Sequence, residues 1–159
     1  MLDEPLNGLD PMARATRRFL EDGEISIHDD RWLTYPWGVN GGTPSDSNGS
    51  VGNNQYVETV NTRYQVWSLN RATHVATSIL GPSSINTLWS GFGGPCETQN
   101  SGDPIVLYDQ LAGRWVMTQF GLGVAAGPHS QCLAVSATSD PLGAWHRYEY
   151  AWPSSYLND

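Results

Sequence analysis

A chain of 159 residues that is 39% hydrophobic and 11% aromatic carries enough apolar surface for one packed domain, which argues against disorder along its length. Its formal charge of −8, from 16 acidic and 8 basic residues, argues against a nucleic-acid backbone as partner. Every basic residue is an arginine, so neither a Schiff-base lysine nor a phosphate-loop lysine is available.

Seventeen glycines and ten prolines cut the chain into short segments, which favours strands and turns over long helices. No apolar run is long enough to span a membrane, and the N-terminus lacks a basic-then-apolar secretory profile. The sequence as encoded therefore predicts a cytoplasmic chain with no membrane partner. Cys96 and Cys132 are too few to define a disulfide framework, and two readings stand: a pair, or free buried thiols.

Residues 1–24 read as a helical segment. Asp10 before Pro11 has the form of an N-cap followed by a first-turn proline, and Met12 to Leu20 has helix-compatible spacing ending near Gly23. The run from Leu2 to Pro11, LDEPLNGLDP, resembles the Walker B end and D-loop of ATP-binding cassette ATPases. That resemblance implies a magnesium-supporting role at Asp3 and a water-polarising role at Glu4. The chain has no phosphate-binding Gly-rich loop with lysine and no Leu-Ser-Gly-Gly signature. We therefore read the segment as a fusion fragment and expect no nucleotide cofactor.

Residues 25–54 read as loop and linker. His28 stands beside Asp29 and Asp30, a possible metal or acid/base cluster whose alternative is a solvated turn. The Gly-, Ser- and Asn-dense run from Gly38 to Asn54 predicts no regular element. Within it, Asp46, Ser47, Asn48 and Gly49 offer alternating oxygen donors of the kind that wrap calcium; an Asx turn without metal is the alternative.

Residues 55–159 carry the β signal. Gln55–Asn61 and Tyr64–Leu69 alternate across a short turn, and Thr73–Leu80 offers a third strand. Further on, Ile105–Tyr108, Arg114–Phe120, Gln131–Ala137 and Ala144–Ala151 form four β-prone runs in about fifty residues, the pattern of one propeller blade. Gly52-Asn53-Asn54 with Arg63-Tyr64 is echoed by Gly102-Asp103-Pro104 with Arg114-Trp115, an offset of about fifty residues, inside the blade-repeat range.

The motifs from Asp46 to Asn61, Ile85 to Glu97 (INTLWSGFGGPCE), Gly102 to Asp109 (GDPIVLYD) and Cys132 to Ser136 resemble the N-terminal part of large secreted bacterial β-propeller proteins. The resemblance covers residues 41–152. It implies an all-β fold of about two antiparallel four-stranded blades behind a short N-terminal helix. Two blades leave sheet faces and edges open, so the expectation is completion as a closed homo-oligomer, with a trimer giving a six-bladed ring.

In such a ring Asp103 and Asn53 would lie near the channel, with Asp46 and Glu97 on approaching loops. Clustered oxygens of this kind suit calcium, and an imidazole from His28, His129 or His146 would shift the preference to zinc or manganese. The candidate metal ligands are thus Asp46, Asn48, Asn53, Glu97, Asp103 and His28. The candidate catalytic groups are Asp103, Glu97 and His129, serving a metal-assisted hydrolysis of activated esters or phosphoesters. For Asp103 the alternative is a turn cap. Trp37, Trp89 and Trp152 are candidates for stacking a small-molecule ligand such as a sugar, with core packing as the alternative. Two functions follow as expectations: a self-assembling, metal-binding propeller module, or a metal-dependent hydrolase on that assembly.

Overall fold

The computed structural model describes residues 46–122 and 129–152. The helix expected over Met12–Leu20 and the His28 cluster lie outside the described residues. Among the described residues eight strands form two antiparallel four-stranded sheets. The first contains β1 (Ser47–Val51), β2 (Gln55–Val60), β3 (Arg63–Asn70) and β4 (Val75–Ser84) in chain order. The second contains β5 (Ile105–Asp109), β6 (Arg114–Leu122), β7 (His129–Ser136) and β8 (Trp145–Trp152), again in chain order. Between the sheets run a 3-10 segment, Ile85–Trp89, and one short helix, α1, Gly94–Thr98. The expected all-β class with two four-stranded meanders is what the described residues form.

The four runs of the second sheet fall where the β-prone pattern puts them, because alternation there is strict: in β6 buried residues alternate with half-buried ones along the strand. The first sheet differs from expectation at its start. β1 occupies Ser-Asn-Gly-Ser-Val, part of the run read as loop, and such residues have little strand preference of their own. Tertiary partners make it a strand. It pairs with β2 from Ser47↔Val60 to Val51↔Tyr56. Its other face then serves β5: Asn48 Oδ1 accepts from Val106 N at 2.7 Å, and Ser50 Oγ accepts from Tyr108 N at 3.0 Å. Those two amides point away from β6 and would otherwise be unmet, a cost of about 1–3 kcal/mol each if buried.

Gly49 has a separate reason. A Cβ there would overlap the Tyr56 hydroxyl, whose ring lies across the strand. The fifty-residue echo is also out of step with the sheets. It matches β2 to β5 and β3 to β6, whereas the sheets themselves begin at β1 and β5.

The main core lies between the sheets. Val57, Tyr64 and Val66 from the first sheet meet Val106, Trp115, Met117 and Ala134 from the second, with Ile85, Trp89 and Cys96 closing one end. Trp89 is fully buried here, so core packing is its role. At roughly 2–3 kcal/mol for each large side chain taken out of water, this layer is the main source of cohesion. The opposite, outer face of the first sheet has its own small cluster of Val51, Tyr56 and Leu69.

Cys96 and Cys132 form a disulfide joining α1 to β7, which settles the choice left open by the sequence. Polar side chains tie the same loop down. Gln119 Nε2 donates to the carbonyls of Cys96 (3.3 Å) and Gln99 (3.4 Å), and Asn86 Nδ2 donates to Glu97 O at 2.7 Å. Among the described residues no helix is long and apolar enough to cross a membrane.

Candidate functional site

Glu97 sits on α1 and faces back over the glycine loop before it. Its two carboxylate oxygens accept from Gly91 N (2.8 Å) and Gly93 N (2.6 Å). Both glycines have positive φ, 74° and 87°, which turns their amides toward one anion in a way L side chains rarely permit. These amide bonds hold the Glu97 carboxyl below the usual carboxylate range, and the Arg147 charge adds to them. The carboxylate is thereby committed to shaping the loop.

Asp103 lies exposed at the corner before β5, in the left-handed region with φ 48°. Asn53 is exposed in the β1–β2 turn, where its backbone carbonyl receives Arg71 Nε (2.9 Å) and Nη2 (2.6 Å). Asp46 precedes β1, half-buried and left-handed. Asn48 has its side-chain oxygen on Val106 N, so the stretch from Asp46 to Gly49 is a strand entry instead of a wrapped loop. His129 opens β7, buried, with Nδ1 lacking a hydrogen-bond partner, and pairs in register with Leu122 and Trp152. His28 lies outside the described residues. Among the described residues no three His, Cys, Asp or Glu side chains come together in a way that could hold a metal ion. The sequence-expected catalytic trio of Asp103, Glu97 and His129 is thus distributed over a corner, a helix and a strand start.

Two polar arrangements that sequence reasoning did not single out are better organised. The first is a buried cluster on the outer face of the first sheet. Glu58 is 3% exposed and stands between Gly49 on β1 and Gln65 on β3 in the strand register. Burial pushes its carboxyl up to about 7, and the Trp67 indole N–H, donating at 3.4 Å, pulls slightly the other way. Tyr56, two residues earlier on the same face, is raised well above the usual phenol range by burial and by the nearby Glu58 charge. Gln65 Nε2 donates to Ser78 Oγ at 2.9 Å. The signal in the sequence was Tyr-x-Glu-x-Val at period two inside an aromatic-rich hairpin, which puts a carboxyl on an apolar face.

The second arrangement is the seam where β4 and the 3-10 segment approach the β7–β8 connection. A cleft of about 590 Å³ opens there, with Tyr64, Leu80, Thr87 and Leu88 on one wall and Leu142, Trp145 and Arg147 on the other. Arg147 Nη1 donates to Ser90 O at 2.7 Å, and its guanidinium carbon stands 5.7 Å from the centre of the Phe92 ring. Burial raises the Tyr64 phenol, and the Thr87 hydroxyl beside it offsets part of that. Glu149, next along β8 on the same face, accepts from Ser130 Oγ (2.9 Å) and Cys96 N (3.4 Å). Compared with protein-family models, with curated proteins and with solved structures, the chain matches none of them.

Proposed function

We propose that this chain is a propeller-like binding and structural module that completes itself by associating with further copies. The observation that carries the reading is the outer face of the second sheet. On it Ile105, Leu107, Tyr148, Tyr150 and Trp152 are each 40–56% exposed. Strand register places these residues on one side, on the two edge strands β5 and β8, with half-buried Val116, Phe120, Leu122 and Leu133 between them beside Thr118 and Gln131. At roughly 150–250 Å² for a large aromatic side chain, the exposed parts on this face amount to on the order of 500 Å² of apolar surface, comparable to the largest patch on a soluble monomer.

The assembly proposed is a closed ring, with a trimer favoured. It requires that the exposed face be covered by another copy. The test is sedimentation equilibrium of the full chain over a wide concentration range, alongside Leu107→Asp. A self-associating parent and a dissociated, folded variant are expected. A parent that stays at the monomer mass of 17.4 kDa at every concentration refutes the reading.

A further inference from the structure

We infer that the seam cleft is a binding site for a small, largely apolar molecule carrying one carboxylate. Its volume of about 590 Å³ lies within the roughly 300–1,000 Å³ usual for small-molecule sites, which favour seams between structural units. The walls come from both sheets, with Leu80 and Leu88 facing the turn that carries Leu142.

Most of the polar groups there are already engaged. The Thr87 hydroxyl donates to Ser84 O at 2.6 Å, and the Trp145 indole N–H donates to Pro141 O at 3.1 Å. Arg147 is the exception. Its fork spends Nη1 on Ser90 O, and that bond together with the Phe92 ring fixes the guanidinium in place while its other N–H groups stay available. A planar cation with parallel donors matches a carboxylate. The carboxylates close by are engaged elsewhere: both oxygens of Glu97 are held by Gly91 and Gly93 amides, and Glu149 accepts from Ser130 Oγ and Cys96 N. Walls whose side chains are mostly apolar but whose exposed surface is about half polar, with Arg147 as the one cation among the described lining residues, therefore suit an acid with a hydrocarbon or aryl body. The inference stands independently of self-association, since the cleft lies between the sheets and the exposed face lies beyond the second.

The test uses the full chain with 2-naphthoate as probe and 2-naphthamide as its neutral counterpart, followed by amide and indole N–H chemical shifts. Saturable shifts centred on Thr87, Leu88, Ala144 and the Trp145 indole are expected for both probes, with the acid binding tighter. Arg147→Gln should weaken the acid about tenfold, the loss of a charge-assisted hydrogen bond, and leave the amide nearly unchanged. Ala144→Phe, placed on an exposed cleft residue, should block both without depending on Arg147. Shifts centred on Leu107 and Tyr150 instead, equal weakening of both probes by Arg147→Gln, or no saturation would each overturn the inference.

Discussion

Replacing Glu58 by glutamine tests the buried cluster directly. The carboxyl sits at about 7 in the folded chain against 4.5 for the ordinary group. The folded state therefore binds the proton more tightly than the unfolded state between those two values. The sign follows: the stability that this group contributes is fully present below about pH 4.5 and is lost as pH rises through 7. A difference of about 2.5 pK units at 1.36 kcal/mol each gives about 3 kcal/mol between the two ends. Glutamine keeps the shape and an oxygen for the Trp67 indole and removes the titration.

At pH 8 the variant should accordingly be more stable than the parent by up to about 3 kcal/mol, with the two nearly equal at pH 4. Urea unfolding followed by tryptophan fluorescence, run from pH 4 to 8.5 with the disulfide intact, measures the difference curve. Taking the difference between parent and variant cancels the other carboxylates. A flat difference curve, or one that rises in the parent's favour with pH, refutes the assignment of a buried, proton-holding Glu58.

Three further outcomes are expected. Cys132→Ser should cost about 4 kcal/mol, the loop-entropy value for cysteines 36 residues apart; a thermal midpoint equal to that of the oxidised parent under non-reducing conditions would contradict it. Gly49→Ala should destabilise by about 1–3 kcal/mol because the new methyl meets the Tyr56 hydroxyl and the ring must move, and chemical denaturation at neutral pH reads this. Glu97→Ala should speed amide hydrogen exchange at Gly91 and Gly93, which lose their acceptor. Because the Glu97 carboxyl is held low, the same loosening should appear in the parent only as pH falls into the acid range. Unaltered protection at those glycines would show that the carboxylate does not hold the loop.

Much of the fold is legible where side chains alternate under their own propensity. Gln55–Val60 and Arg114–Leu122 are strands in the structure because β-branched and aromatic residues recur at period two. β1 is the instructive failure. Ser47, Asn48 and Gly49 look like a turn or an ion-wrapping loop when read alone, since each prefers irregular backbone. Their selection acts at a distance of 58 residues, where Asn48 and Ser50 meet the amides of Val106 and Tyr108. A window that sees only neighbours in sequence cannot register that constraint. Likewise the spacing of Cys96 and Cys132 permitted a bridge without requiring one; the packing of α1 against β7 decides it.

The candidate site was less legible for a related reason. Motif reasoning treats a polar side chain as available for chemistry, and in this chain most of the well-placed ones serve the backbone. Glu97 holds two glycine amides, Glu149 holds an amide and a hydroxyl, Asn48 caps a strand edge, and Gln119 bridges two carbonyls. Short strands with many glycine turns leave numerous backbone groups that the sheet ladders do not satisfy, and those groups must find partners. Oxygen-rich loops are therefore a poor guide to ligand sites in such a fold. A group with donors left over after that accounting is a better one, and by this criterion Arg147 at the seam stands ahead of the carboxylates that the sequence brings forward.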